Sequence, residues 1–221
     1  MKKVIIFGIA DAAELSHFYF TNDSNYQVEA FSVDSAYLPA DPKFCGLPIV
    51  SFETVVDKYP PDEFAFFIAL GYSSLNQIRK NKYLAVKELG YELASYVSSK
   101  ATVLNDHNIG ENCFILEDNT IQPFVSIGNN VTMWSGNHIG HHTRIGDHSF
   151  LASHIVVSGH VQIGESCFIG VNATFRDHIV VGEKCIIGAG ALILSDVDAG
   201  GVYVGNATER SRVPSSRVKN I

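Results

Sequence analysis

Long apolar segments, tryptophan and methionine are scarce in this chain of 221 residues, which has one tryptophan and two methionines. No apolar run approaches the ~20 residues that cross a membrane, so membrane insertion is not expected. The segment 1–8 has a short apolar core without a small-residue cleavage site after it, and we interpret it as a first strand rather than a signal peptide. These absences predict a globular protein.

Basic charge is also in short supply. The chain has 16 Lys and Arg residues against 23 Asp and Glu residues, for a net charge of -7. Proteins that bind nucleic acid usually present a basic surface, so no nucleic-acid partner is expected. A hydrophobic content of 46% is typical of a globular chain, and the length suits one large domain or two modest ones.

A repeat of six residues occupies the second half of the chain. Every sixth residue from Val103 to Ile193 is apolar, and glycine often follows it. This period predicts a parallel β-helix, in which each short strand buries one side chain. With three hexads per coil, residues 18 apart stack at about 4.8 Å. The sixteen apolar positions are Val103, Ile109, Ile115, Ile121, Ile127, Met133, Ile139, Ile145, Leu151, Val157, Ile163, Ile169, Phe175, Val181, Ile187 and Ile193.

The few cysteines exclude two classes of protein. They form neither a CxxC metal motif nor the framework of a secreted disulfide-rich domain. Cys113, Cys167 and Cys185 each come four places after an apolar hexad position, in a column of small residues. We therefore predict three buried thiols and a cytoplasmic location.

The first 98 residues lack the hexad. Apolar runs alternate with helical patterns there, which predicts a small parallel α/β sheet. Helices are expected over residues 10–20, from Ser51 to Lys58, and from Ser73 or Ser74 to Leu89, with a last strand over 92–97. The predicted domains are an α/β domain at 1–98, a β-helix at 99–196 and a C-terminal segment at 197–221.

Two segments carry a resemblance to known proteins. Ile139–Asp147 (IGHHTRIGD) is similar to the signature of hexapeptide acyltransferases, and Val202–Ala207 (VYVGNA) resembles the usual ending of that family. The whole chain resembles the two-domain sugar acyltransferases, which include bacillosamine and perosamine N-acetyltransferases and the sialic acid O-acetyltransferases. The resemblance implies a Rossmann-like domain for a nucleotide-linked sugar, a left-handed β-helix for acetyl-CoA, and a homotrimer with active sites between subunits.

The resemblance also implies roles for particular residues. The general base of the family falls on His141, and its common acidic neighbour falls on His142, which is a departure. Gly159 comes one coil later, where a backbone N–H would stabilise the oxyanion of acyl transfer. The residues expected to contact coenzyme A are Gly159, Arg176, Gly205, Asn206, Arg210 and Arg212.

The expected sugar site departs from the family as well. Similar proteins have further glycines after the first strand, whereas this chain has Gly8 followed by Ile9, Ala10 and Asp11. NAD or FAD is therefore not expected, and Asp11 would repel a phosphate. The residues predicted to contact a nucleotide-linked sugar are Gly8, Asp34, Gly71, Arg79, Asn137 and His138.

The resemblance implies transfer of an acetyl group from acetyl-CoA to an amino sugar in surface-glycan synthesis, with His141 as base, and the ordinary pKa of histidine suits that role. O-acetylation of a sugar hydroxyl and a binding trimer without catalysis are the alternatives.

Trp134 is expected at a subunit contact or a substrate wall. Zinc hydration, as in the histidine-rich gamma-class carbonic anhydrases, requires a His-x4-His pair, and no two histidines here are five apart, so no metal is predicted. The remaining histidines of the repeat are interpreted as surface or subunit-contact residues: His148, His154, His160 and His178.

Overall fold

The computed structural model describes residues 1–104, 108–210, 212 and 215–217. Residues 105–107 lie outside this set, as do residues 211, 213–214 and 218–221 of the predicted C-terminal segment. Among the described residues, no helix is long and apolar enough to span a bilayer.

The N-terminal part is a six-stranded sheet flanked by helices. Its elements are β1 (Lys2–Phe7), α1 (Asp11–Asn22), β2 (Tyr26–Val33), β3 (Lys43–Phe44), β4 (Leu47–Ser51), α2 (Val55–Lys58), β5 (Phe64–Ile68), α3 (Gln77–Glu88) and β6 (Glu92–Leu93), with 3-10 turns at Ser35–Tyr37 and Phe52–Thr54. The strand order is β3-β4-β2-β1-β5-β6. All pairs are parallel except the β3–β4 hairpin, so the predicted parallel α/β sheet is confirmed.

Two predicted elements of this part differ in the structure. Helix α3 begins at Gln77 rather than near Ser73, because Ser74, Leu75 and Asn76 all have positive φ angles and cannot belong to a right-handed helix. The strand expected over 92–97 is divided: β6 joins the N-terminal sheet, whereas the next strand begins the β-helix.

The remaining strands are two residues long. They are β7 (Tyr96–Val97), β8 (Thr102–Val103), β9 (Phe114–Ile115), β10 (Thr120–Ile121), β11 (Ser126–Ile127), β12 (Thr132–Met133), β13 (His138–Ile139), β14 (Arg144–Ile145), β15 (Phe150–Leu151), β16 (Val156–Val157), β17 (Gln162–Ile163), β18 (Phe168–Ile169), β19 (Thr174–Phe175), β20 (Val180–Val181), β21 (Ile186–Ile187), β22 (Leu192–Ile193) and β23 (Val202–Tyr203). A 3-10 turn occupies Ser215–Arg217.

These strands pair in parallel with a period of 18 residues, so that Ile121 lies beside Ile139 and Ile139 beside Val157. Fourteen of the sixteen hexad positions are buried, and Val103 and Ile109 are partly buried against the same core. The predicted fold class, an α/β domain followed by a left-handed parallel β-helix with three hexads per coil, is therefore confirmed.

The cysteines of the β-helix are buried free thiols, as predicted. Burial raises the pKa of Cys113 and Cys167 to about 12, and each Sγ donates to a backbone carbonyl of the next coil. These thiols are unreactive at neutral pH.

The strands form three flat faces. The domain face (β7, β9, β12, β15, β18, β21, β23) lies against the N-terminal sheet; the second face is β8, β10, β13, β16, β19 and β22, and the third face is β11, β14, β17 and β20. Phe114 and Leu116 next to the domain face share one apolar cluster with the core of the N-terminal sheet. A hydrogen bond between the two parts reinforces the packing, since the Ile68 N–H donates to the side-chain Oδ1 of Asn112 at 2.8 Å.

Asp23 also ties the two parts together. Its carboxylate accepts hydrogen bonds from Tyr96 Oη at 2.7 Å and from Ser99 N–H at 2.9 Å. The bonds from Ser99 and Tyr96 lower the pKa of Asp23 to about 2. The carboxylate is therefore charged at neutral pH and holds the end of α1 against the first coil.

The turns between faces explain the column of histidines. His142, His148, His154, His160 and His178 all have φ angles near +60°. Asn112, Asn130 and Asn172 occupy the same turn position in other coils. Asparagine, aspartate and histidine are the residues other than glycine that most readily adopt this left-handed conformation, so the column is first a backbone requirement of the coil.

Candidate active site

His141 and Gly159 meet on the edge between the second and third faces. His141 follows β13 and Gly159 follows β16 one coil later. A Cβ atom placed on Gly159 would lie 2.7 Å from His141 Cε1 and 2.8 Å from Nε2. Only a residue without a side chain at 159 therefore allows the imidazole to lie directly over this backbone.

The N–H group of Gly159 is free to bind a ligand. One coil earlier, the equivalent N–H of His141 donates to Gln122 Oε1 at 2.8 Å. Gly140 occupies the place of Gln122 in the next coil and has no side chain, and no described residue accepts a hydrogen bond from Gly159. An unpaired N–H beside an imidazole is an arrangement suited to an oxyanion.

His142 takes the place of an acidic partner next to the base. The Nδ1 atoms of His141 and His142 are 3.1 Å apart, so one ring donates a hydrogen bond to the other. Both side chains are exposed. This bond orients the His141 imidazole, as a carboxylate would, but without adding a negative charge.

A stack of rings supports these two residues. The ring of His142 lies 4.7 Å from that of Phe124 and 4.6 Å from that of His160, and His160 in turn lies 4.6 Å from His178. The His142 and His160 planes differ by only 9°. Partial burial and the neighbouring His142 and His178 lower the pKa of His160. We call residues 124, 141, 142, 160 and 178 the histidine edge.

A second concave region lies between the two parts of the same chain. A cavity of about 260 Å³, here called the interdomain cavity, opens at the carboxyl ends of β1 and β5, where open α/β sheets bind ligands. Asp11 lies on one side, and Tyr72, Trp134 and Phe150 supply aromatic walls. Trp134 thus lines a cavity of its own chain, and Asp11 is the only charged residue among the described residues that line it.

Two residues expected at the sugar site belong to this region. Gly71 lines the cavity. Gly8 lies at the end of β1 with φ +122°, and a Cβ there would be 2.9 Å from Ala69 O. A glycine is therefore required for the turn into α1, whose N-terminus borders the cavity.

Two predictions about the sugar site were wrong. Arg79 is fully buried on α3 and donates to Thr132 Oγ1, Asn76 Oδ1 and the carbonyls of His148 and Ser149. It joins α3 to the β-helix and is unavailable to a phosphate.

Asn137 is likewise buried. Its Oδ1 accepts from Ile155 N–H at 2.8 Å, and its Nδ2 donates to the Trp134 carbonyl. Asn137 therefore bridges successive coils rather than facing a sugar.

The other two sugar-site residues lie apart from the cavity. Asp34 follows β2 and pairs with the Lys82 ammonium group. His138 is half-buried on the second face, between Thr120 and Val156 of the neighbouring coils. Their predicted roles stay predictions.

The residues expected to contact coenzyme A lie on later coils and in the C-terminal segment. Arg176 is exposed directly after β19, one coil beyond Ser158. Gly205 packs so closely on the last coil that a Cβ would be 2.0 Å from Ala189 O. Asn206, Arg210 and Arg212 are exposed. Their predicted contacts with coenzyme A stay predictions.

Sequence reasoning missed Tyr72 and the importance of His160. The ring of Tyr72 lies 4.9 Å from those of Phe150 and Phe168. Nothing in the local sequence relates Tyr72 to the β-helix, because the residues are about 80 or more apart. The 18-residue period does predict that His160 stacks on His142, and the structure confirms this stacking, but only a surface or subunit-contact role was predicted for His160.

Comparison with known proteins identifies the repeat and the fold. Residues 106–141 and 160–195 match the bacterial transferase hexapeptide family, which is defined by six repeats. No curated protein sequence matches the chain. Two stretches of the chain therefore match bacterial transferase hexapeptide repeats, as the resemblance implied, and residues 139–141 of the segment Ile139–Asp147 lie within the first stretch.

Three solved structures share the whole fold. The acetyltransferase domain of PglB from Neisseria gonorrhoeae superposes with a TM-score of 0.79 and 21% identity, over 93% of this chain and 97% of that domain. PerB from Caulobacter crescentus, solved with CoA and GDP-perosamine, superposes with a TM-score of 0.78 and 22% identity, over 92% of this chain and 94% of that protein. WeeI from Acinetobacter baumannii superposes with a TM-score of 0.77 and 21% identity, over 91% of this chain and 96% of that protein. This chain has the fold of these proteins.

Gly159→Ala is expected to reduce acyl transfer about 100-fold, because the new Cβ would lie within 2.8 Å of two atoms of the His141 imidazole and force the ring to move. The rate per folded molecule should be measured with saturating acetyl-CoA. Gly164→Ala is the matched control, since its Cβ would meet the next coil at Glu183 N, 2.6 Å away, on a different edge. Comparable rate losses in both variants would contradict a specific role for Gly159.

Proposed function

We propose that the protein is an acetyl-CoA-dependent sugar N-acetyltransferase, with His141 as the general base. The observation that carries the proposal is the imidazole of His141 lying over Gly159, whose N–H has no partner among the described residues. A base beside an oxyanion donor is the pair of groups that acyl transfer from a thioester requires.

The proposed reaction is a direct transfer. The substrate amine attacks the thioester carbonyl while His141 accepts the proton that the nitrogen loses. The C–N bond forms first and gives a tetrahedral oxyanion, which accepts a hydrogen bond from the Gly159 N–H. The carbonyl then re-forms as the C–S bond breaks, and the proton passes from His141 to the departing sulfur. No covalent enzyme intermediate is needed for this transfer, and the cysteines of the β-helix are buried.

Acetyl-CoA is proposed to lie along the later coils of the histidine edge. Its thioester reaches Gly159, and the remainder extends past Arg176 toward Gly205 and Asn206. Arg210 and Arg212 are exposed cations in the C-terminal segment, suited to the phosphates of coenzyme A. PglB from Neisseria gonorrhoeae and PerB have been solved with acetyl-CoA and CoA, respectively.

The site is proposed to be completed by other copies in a homotrimer. In a three-sided coil, the edge between the second and third faces is opposite the domain face. The interdomain cavity and His141 therefore lie on opposite sides of one chain. A sugar held in the cavity can reach an imidazole only if a neighbouring copy presents its histidine edge.

We propose that the acceptor is a nucleotide-linked amino sugar, as used in surface-glycan synthesis. The aromatic walls of the interdomain cavity suit a nucleobase or a sugar face, and PerB was solved with GDP-perosamine. Asp11 excludes the diphosphate from the first turn of α1, so the phosphates must lie away from that turn. The free thiols are consistent with a cytoplasmic location.

A panel of acceptors tests the function. Nucleotide-linked amino sugars, the corresponding hydroxy sugars and free amino sugars should be assayed for thiol release from acetyl-CoA. We expect release with nucleotide-linked amines only. Release with hydroxyl acceptors alone would overturn the amine proposal in favour of O-acetylation. Release with free amino sugars at equal kcat/KM would overturn the nucleotide requirement, and failure to bind acetyl-CoA would favour a trimer without catalysis.

A further inference from the structure

Three imidazoles converge at the histidine edge. His141, His142 and His160 each offer a ring nitrogen, and these nitrogens all lie within 4.8 Å of one another. It is the one such group of metal-ligating side chains among the described residues. Two of the three rings are exposed and the third is half-buried, so an ion can reach them from solvent.

We propose that these three histidines form a binding site for a divalent transition metal ion of the zinc type, and that the bound ion inhibits the enzyme. Neutral imidazole is a ligand for zinc, copper and nickel, whereas magnesium and calcium prefer oxygen. Each histidine supplies one nitrogen, and the fourth position is left to water.

The spacing of the rings fits such an ion. Zn–N bonds of 2.0–2.1 Å place tetrahedral ligand nitrogens about 3.3 Å apart. The Nδ1 atoms of His141 and His142 are already 3.1 Å apart. The His160 ring is 4.6 Å from the His142 ring and 5.2 Å from the His141 ring, centroid to centroid. The His142 and His160 planes are nearly parallel, so His160 must tilt out of this stack to direct its nitrogen at the same ion.

The ligands are held close to one another before an ion binds. Phe124 covers one side of the His142 ring, and His178 covers the far side of the His160 ring. The backbone also joins the two coils, since His160 N–H donates to the His141 carbonyl at 2.9 Å. Side chains that are already ordered lose less conformational entropy on binding.

Inhibition is expected because the His141 imidazole would serve both as a metal ligand and as the general base. The inhibitory role therefore rests on the proposed function. A nitrogen of His141 that coordinates an ion cannot accept the proton of the substrate amine. The ion would also lie beside the Gly159 N–H and occupy the space of the thioester. The site is therefore a regulatory or inhibitory one, distinct from a catalytic cofactor site.

Metal binding can be measured without either substrate. Protein without a polyhistidine tag, stripped with a chelator, should be titrated with zinc chloride by calorimetry in a buffer that does not bind metals. We expect one ion per chain. With cobalt(II), we expect the intense visible absorption of a four-coordinate ion.

Variants at the turn position give matched controls. His160→Asn preserves the left-handed turn, because Asn172 occupies the equivalent position with φ 59°. It should weaken zinc binding at least 10-fold, the lower bound for loss of an outer-shell partner. His154→Asn makes the same change on another edge and should leave binding unaltered. Equal zinc affinity in wild type, His160→Asn and His142→Asn would overturn the site, as would the absence of binding.

Activity then tests the inhibitory role separately. Zinc should suppress thiol release by wild type and by His154→Asn at the concentrations that saturate the site, and His160→Asn should resist it. If zinc binds but does not inhibit, the inhibitory role is overturned and the metal site stands. If no acceptor supports thiol release, the proposed function fails, whereas the calorimetric result is unaffected.

Discussion

His141→Asn is expected to lower kcat/KM for acetyl transfer about 10²–10⁴-fold, the usual contribution of a general base. The amide of asparagine retains a polar group over Gly159 but cannot accept a proton near neutral pH. Because an amine that is already deprotonated needs the base less, the loss should shrink as pH rises above the pKa of the acceptor ammonium. Rates should be measured by thiol release between pH 6 and pH 9.

The binding of acetyl-CoA separates catalysis from folding in this variant. Calorimetry should show an affinity close to that of the wild type, because the cofactor is proposed to contact the backbone of Gly159 and the later coils. His154→Asn is the control for a histidine change elsewhere in the repeat and should retain full activity. If His141→Asn keeps wild-type activity at pH 7, another group is the base.

Arg79→Ala is expected to destabilise the protein by about 3–5 kcal/mol, because it removes a large buried side chain and leaves several buried acceptors without a donor. Its guanidinium bridges α3 to Thr132 and to the carbonyls of His148 and Ser149. Burial lowers the pKa of Arg79 to about 10, so the side chain stays charged at neutral pH. Removal leaves a cavity and unpaired acceptors between the N-terminal sheet and the β-helix.

Lys80 provides a matched control for this measurement, because it is the next residue of α3 and also reaches the β-helix. Its ammonium pairs with Glu165 at 3.1 Å, but both side chains are partly exposed. Lys80→Ala should therefore cost no more than about 1 kcal/mol. Urea unfolding of both variants measures the difference, and similar midpoints would refute a special role for Arg79.

The β-helix could be predicted almost residue by residue. Each rung of the coil buries its own hexad residue, so the requirement repeats locally along the chain, and the burial of Ile139 or Val157 follows from the period alone. The same period aligns His141 with Gly159, because stacked residues are 18 apart. The left-handed turns also explain why histidine and asparagine recur at one position.

The sugar site was harder to predict because its residues come from distant segments. Arg79 and Asn137 are polar residues near apparent strand ends or in the repeat, and sequence alone does not reveal whether such a residue is buried and paired. Tyr72 and Trp134 meet at one cavity through the docking of the N-terminal sheet on the domain face. The positive φ angles at Ser74–Asn76 depend on that docking as well, since the Asn76 side chain donates to the Cys167 carbonyl at 3.1 Å.

Periodicity in the amino-acid order was enough to specify a coil of 18 residues per turn and the stacking of an imidazole on a glycine, because these depend on contacts that recur at a constant separation. Packing between the two parts of the chain assigned Arg79 to the interior, created the interdomain cavity and placed His141 on the far edge of the coil. Those outcomes depend on which surfaces meet, and contacts between residues far apart in the chain have no period from which they could be inferred.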